Sequence, residues 1–226
     1  CNHDYGVGGW QLTYDGDGDD YFHLWSSDQS DYDLTSAMTP SANTWYHYAV
    51  TRQDDTIRFY IDGVQQTSQA FTEDMTNTAV PLMVGTYADS GLGAMPASYV
   101  DGVRVSKLCR YPDGTTFTPS TTAFKDDIDT VLLLPMDGGG GIDPATNLPT
   151  LAGQGTYFWD ASNDAIFYGA DGLPTNKSFI SFDGAGDYLS VAQSSDFAPG
   201  TSDFTLEGWV YPCLLYQSDA SDEGLG

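Results

Sequence analysis

Positive charge is what this chain has least of. Seven Lys and Arg stand against 32 Asp and Glu, a formal net charge of −25 over 226 residues. With no basic patch to neutralise phosphates, a nucleic-acid partner is excluded, and so is attraction to an anionic membrane surface. No run of 18 apolar residues occurs, which excludes membrane insertion by a spanning helix. No leader peptide opens the chain. Its ends, Cys1 and the acidic stretch Ser218–Gly226, read as boundaries of a processed segment.

Reactive side chains are equally few. The histidines are His3, His23 and His47, and the cysteines are Cys1, Cys109 and Cys213. They form no C-x-x-C or H-x-x-x-H pair, so no zinc spacing exists. Three cysteines are too few for a disulfide framework, and Cys109, just after a strand-like run, reads as a small buried hydrophobe. No G-x-S-x-G elbow offers a serine nucleophile. Glutamate is confined to Glu73, Glu207 and Glu223; every other acid is Asp. Asp favours turns, because its short side chain bonds the local backbone and tolerates left-handed φ. Much of the acidity is therefore loop chemistry, and the remainder suits salty water or divalent cations.

What is present points to strands. Aromatics make up 14% of the chain, with 25 Gly and 11 Pro, and no window sustains a helical period of apolar residues. Short runs between turn residues fit an all-β class. Thr44–Arg52 alternates, with Tyr46, Tyr48 and Val50 on one face and His47, Ala49 and Thr51 on the other. Thr56–Ile61 puts Ile57, Phe59 and Ile61 together. Asp62–Gly63 then precedes Val64–Ser68, and an Asp-Gly pair between alternating runs marks a hairpin whose two central residues need positive φ. Pro81–Tyr87 and Ser98–Ser106 add two strands, and Gly9–Tyr14 and Tyr21–Ser26 a further hairpin, with a short strand near Tyr32–Leu34. Residues 1–8 read as a loop. Residues 107–128 read as an irregular strap, since Pro112 and Pro119 cannot sit in central strands. Tyr157–Trp159 and Ile166–Tyr168 read as short edge strands.

Several of these motifs combine into a family likeness. W-x-H-x-A-V-T-R at Trp45–Arg52, I-D-G at Ile61–Gly63, V-D-G-V-R-V-S at Val100–Ser106 and R-Y-P…F-T-P from Arg110 to Pro119 together resemble the closing half of a laminin-G-like domain. This is the concanavalin A-like jelly-roll superfamily, in the tandem form found on bacteriophage and bacterial surface proteins. Thr130–Gly138, the F-D-G-x-G-D-Y-L hairpin within Ser178–Ala192 and the D-F-T-x-E-x-W-V run at Asp203–Val210 resemble its opening half. The resemblance implies a concanavalin A-like β-sandwich of two antiparallel sheets, in circularly permuted or out-of-phase repeat order. Residues 1–128 carry the second-half strands and 129–226 the first-half strands; together they complete one domain, or, in the rival array reading, 129–226 pair with downstream sequence or with a neighbouring chain. In that order strand Asp203–Tyr211 lies beside Gly9–Tyr14. Cys213 and Cys1 then flank one gap, where a disulfide is one alternative and free thiols the other.

Candidate sites follow. Glycosidases of this superfamily carry E-x-D-x-x-E on one strand, so that two carboxylates flank one bond; that spacing is absent, and Glu207 reads as a residue on the outer face of its strand. Calcium is the one cofactor the sequence suggests. Asp15, Asp17 and Asp19 alternate in D-G-D-G-D-D, although Asp20 and Ser26 at the sixth and twelfth positions exclude an EF-hand. Asp183 and Asp187 match the family hairpin, near which some relatives hold calcium. Sugar stacking needs aromatic faces: Trp10, Trp45 and Trp209 read as core, which leaves Trp25 and Trp159 near strand ends, with Tyr87 and Asp89 in a rim loop. Asn176-Lys-Ser is a glycosylation sequon of little weight. The resemblance implies a non-catalytic structural or adhesive module on a virion or cell surface: a phage fibre, appendage or decoration protein. Its partners would be neighbouring subunits or repeats of an assembly and cell-surface glycans. The alternative is a carbohydrate-binding module of a secreted bacterial enzyme or adhesin.

Overall fold

The structure, a computed structural model, describes residues 2–4, 8–15, 21–25, 31–34, 40–76, 81–85, 97–112, 116–134, 142–143, 148–149, 157–159, 167–169, 178–182, 188–191 and 194–213. In chain order the strands are β1 (Asn2–Asp4), β2 (Gly8–Asp15), β3 (Tyr21–Trp25), β4 (Asp31–Leu34), β5 (Tyr46–Gln53), β6 (Thr56–Ile61), β7 (Val64–Ala70), β8 (Leu82–Val84) and β9 (Ser98–Ser106). They continue with β10 (Thr130–Leu134), β11 (Ile142–Asp143), β12 (Leu148–Pro149), β13 (Tyr157–Trp159), β14 (Phe167–Gly169), β15 (Ser178–Phe182), β16 (Leu189–Val191) and β17 (Phe204–Pro212). One 3-10 turn, Ser195–Phe197, is capped by the Ser194 side chain, which accepts from the Asp196 amide.

Antiparallel pairing dominates. The largest sheet has 8 strands in the order β14-β15-β9-β17-β5-β6-β7, with β10 also paired to β9. A 3-stranded sheet, β13-β16-β8, and a 4-stranded sheet, β1-β2-β3-β4, supply the facing side chains. Alternation explains the interior. Tyr46, Tyr48 and Val50 of β5, Ile57, Phe59 and Ile61 of β6, and Phe204 and Leu206 of β17 point into one apolar cluster, met by Trp10 of β2, Leu82 of β8 and Leu189 and Val191 of β16. Within β9 the Asp-Gly dipeptide makes a bulge: Glu207 pairs Arg104 and Trp209 pairs Asp101, with Gly102 at φ 57 between them. The extra residue resets the alternation, so Val100 and Val105 both reach the core and Val103 packs against it.

The Asp62–Gly63 turn is as the sequence demands, with φ of 50 and 75. It is also a docking point. Asp62 Oδ1 accepts the His47 amide at 2.8 Å, and the Gly63 carbonyl accepts the Phe117 amide at 2.9 Å. A Cβ on residue 63 would collide with the Phe117 carbonyl oxygen, so only glycine lets the described part of residues 107–128 lie down here. That segment is the irregular strap expected.

Four expectations change. Strand β17 does not lie beside β2, because both its edges are taken, by β5 and by β9. The two meet across the sandwich instead: Trp10 is 4% exposed in the common core, and its Nε1 donates to the Phe197 carbonyl at 2.8 Å. Ser178–Ala192 is not a hairpin, because β15 joins the large sheet and β16 the 3-stranded one. The segment carries the chain from one layer to the other. Residues 2–4 form a strand against β2 rather than a loop. Trp45 and Trp209 are half-buried rather than core; Trp209 packs on His47, with ring centroids 5.2 Å apart.

Candidate functional site

The outward face of the large sheet carries the most concentrated polar chemistry among the described residues. Glu207 on β17 has the expected outward orientation but not the expected exposure: it is 5% exposed. Alternation placed the residue on the side away from the core. The strap, from far away in sequence, covers that side.

Every carboxylate contact is filled. Arg104 of β9 donates to Oε1 from Nε at 2.8 Å and from Nη2 at 2.6 Å. The Tyr111 hydroxyl of the strap donates to Oε2 at 2.7 Å. His47 Nε2 of β5 stands 3.2 Å from Oε2 and donates to it when Glu207 is ionised. Arg110 adds its charge at 4.0 Å. The lid is aromatic: Tyr111 stacks on Phe117 at 3.6 Å, and the Arg104 guanidinium sits 4.4 Å from the Phe124 ring centroid. Thr205, next to Glu207, donates to the Leu108 carbonyl and accepts the Arg110 amide at 2.8 and 2.9 Å.

Burial alone would raise the Glu207 carboxyl. The His47 hydrogen bond, the Arg104 charge and the Tyr111 hydrogen bond outweigh it, and the group is held below its ordinary 4.5. Tyr111 is pushed up by burial and by the neighbouring carboxylate, so it stays a donor. Asp127 is held well below its ordinary value chiefly by its hydrogen bonds with Arg110, and Asp196 by its pairing with Lys107. A glycosidic general acid needs the opposite, a carboxyl raised towards neutrality. Glu207 is chemically a tether joining β5, β9, β17 and the strap.

A second tether uses Arg52, fully buried at the end of β5. Its Nε donates to the Asp54 carbonyl at 2.9 Å, and Nη1 to those of Glu73 and Gly200 at 2.8 and 3.0 Å. These basic residues were not singled out from the sequence. A signal existed: only seven Lys and Arg occur, and Arg52 and Arg104 each sit inside an alternating strand, where an unpaired cation is costly.

The residues singled out for ligands are placed less fully. Asp15 ends β2 opposite Tyr21, Trp25 ends β3 opposite Gln11, and Trp159 ends β13 opposite Leu189. Tyr87, Asp89, Asp17, Asp19, Asp183 and Asp187 lie outside the described residues, as does Cys1; Cys213 is a free thiol and Cys109 a buried one. Among the described residues no three His, Cys, Asp or Glu cluster as metal ligands, and no helix is long and apolar enough to cross a membrane. A gap beside Trp10, Phe197 and Phe204 measures about 10 Å³, room for a single water and not a sugar.

One pH dependence follows. A carboxylate whose folded pKa lies below its unfolded value binds fewer protons when folded, so stability rises with pH across that interval. For Glu207 the contribution is fully present above 4.5 and is lost as pH falls through the depressed folded value. Asp127 and Asp196 act in the same direction from 3.8, weakened by solvent screening at the more exposed Asp127. The thermal midpoint should therefore fall steeply below about pH 4.5. Glu207→Gln should flatten that fall; an equally steep fall in the variant would place the acid sensitivity elsewhere.

A family model described as the concanavalin A-like lectin/glucanases superfamily matches residues 2–113. No curated protein and no solved structure matches the chain. The matched segment contains β1 to β9, including the Asp-Gly hairpin, the β9 bulge and the start of the strap, and its strands pack in antiparallel sheets with almost no helix. Residues 2–113 of this chain belong to the concanavalin A-like lectin/glucanase superfamily.

Proposed function

We propose that the chain is a non-catalytic structural or adhesive module of a virion or cell surface, which offers its rim loops to glycans or neighbouring subunits. The observation that carries this reading is the state of Glu207. The superfamily contains both lectins and glucanases. A glucanase needs an accessible pair of acids, one of them protonated. Here the strand glutamate is sealed under the strap, ionised, and bonded to Arg104, Tyr111 and His47. The large acidic excess supports a solvated exterior and divalent cations as the candidate cofactor.

The wiring is part of the proposal. Residues 1–128 and 129–226 complete one sandwich in rotated order, and the support is the position of β17 between β5 and β9. The test is direct. Purified chain is applied to a glycan array with and without a calcium chelator and is incubated with polysaccharides. Glycan retention that disappears on chelation is expected, with Asp183→Asn and Asp187→Asn reproducing the loss. Release of new reducing ends from a polysaccharide would overturn the non-catalytic reading.

A further inference from the structure

Strand β17 is the middle of the large sheet, yet both its neighbours come from the other end of the chain. Its register runs from Phe204 against Arg52 to Val210 against Tyr46, and on its other edge from Thr205 against Ser106 to Pro212 against Ser98. If residues 130–213 withdrew, β5 would keep β6 but lose β17, and β9 would lose β10, β15 and β17, all the strands it pairs with. That opens a slot with one unpaired edge on β5 and leaves both edges of β9 unpaired. The slot is selective. An incoming strand must put Phe204-like and Leu206-like side chains into the core while setting a carboxylate against Arg104 and a hydroxyl against Leu108 and Arg110. The sequence that does all of this is β17 itself.

One short exposed turn joins the two portions. After Phe124, buried against His47 and Arg104, residues 125–129 run over the surface to β10, and Ile128 is 98% exposed. A side-chain clasp holds the centre of the turn: Arg110 grips Asp127 through two bonds of 2.9 and 2.8 Å, and Asp127 Oδ1 also takes the Thr130 hydroxyl at 2.9 Å; beside it the Lys107 amide bonds the Asp129 carbonyl at 2.8 Å. The clasp exists only while the turn is folded back. An extended turn of the same length would carry β10 and everything after it to a second molecule. The two extended turns would then pass each other about a two-fold axis, where the exposed Ile128 side chains could meet.

We propose that residues 125–129 are an exchange hinge, and that the partner fitting the β5–β9 slot is residues 130–213 of a second copy of this chain. This deepens the assembly side of the function proposed above. It can fail while that function stands, since glycan retention and polysaccharide cleavage do not depend on which copy supplies β17.

Lys107 precedes the hinge and Asp196 follows it, and the two form an exposed ion pair that a carbodiimide converts into a cross-link. Isotopically heavy and ordinary full-length chains are mixed, unfolded together, refolded at low and high protein concentration, and cross-linked. Dimers are separated by size before mass spectrometry. Heavy-to-light Lys107–Asp196 cross-links are expected in the dimer, increasing with concentration. Asp127→Ala should raise the dimer-to-monomer ratio about fivefold, as expected for losing an exposed bidentate pair. Cross-links only within one isotope, or a monomer at every concentration in both proteins, would overturn the proposal. The wild-type concentration series decides the matter even if Asp127→Ala refolds poorly.

Discussion

Replacing Glu207 with alanine is expected to destabilise the protein by about 3–5 kcal/mol, the usual cost of removing one partner from a buried ion pair. The carboxylate is 5% exposed and bonds Arg104, Tyr111 and His47 at 2.6 to 3.2 Å. Without it the Arg104 guanidinium remains under the strap with no counter-charge, and the Tyr111 hydroxyl loses its acceptor. For a chain of this length such a loss lowers the thermal midpoint by roughly 10 °C. The variant should lower the urea midpoint with little change in slope. The damage comes from orphaned groups rather than from the lost pair itself. Accordingly, adding Arg104→Met to Glu207→Met should recover much of the stability that Glu207→Met alone loses, and the double-mutant cycle should give a coupling of about 1–3 kcal/mol. A Glu207→Ala protein within about 1 kcal/mol of wild type would mean that the cluster supports little of the fold.

The limits of the sequence are instructive at individual residues. Local chemistry was legible. Asp62–Gly63 announced its turn because two consecutive positive-φ positions have few other solutions, and the alternating faces of β5 and β6 were plain. Alternation gives a face and not a cover, which is why Glu207 was placed on the correct side of β17 with the wrong exposure. Its lid, Tyr111 and Phe117, lies some 90 to 100 positions earlier. The same limit applies to F-D-G-x-G-D-Y-L: turn residues show that the chain bends, and only the packed sandwich shows that β15 and β16 enter different layers. The resemblance found the family but set β17 beside β2, because neighbours in family order are not always neighbours in a sheet. The candidate ligand residues rest on loop composition, on the family hairpin and on aromatic side chains near strand ends, and a ligand set is fixed by how the layers position such residues, which a linear pattern does not encode.

Trp10 gives the largest test of how the two ends of the chain share an interior. It lies on β2, whose hydrogen-bonded neighbours are β1 and β3, so by pairing alone the first 34 residues could be an independent sheet. The side chain argues otherwise. It is 4% exposed, clusters with Phe197, Phe204 and Leu206 from the far end of the chain, and donates from Nε1 to the Phe197 carbonyl at 2.8 Å. Trp10→Ala should cost about 3–5 kcal/mol through lost apolar contact and a cavity between the layers. Trp10→Phe keeps most of that contact but leaves the Phe197 carbonyl without its donor, and should cost about 1–3 kcal/mol. Hydrogen exchange separates a shared core from two neighbouring ones. With one interior, either substitution speeds exchange in Phe204–Val210 of β17 by the same factor as the global destabilisation. If exchange quickened only in residues 2–34 while β17 kept its protection, β2 would be packing on its own, and the single sandwich would be two units in contact.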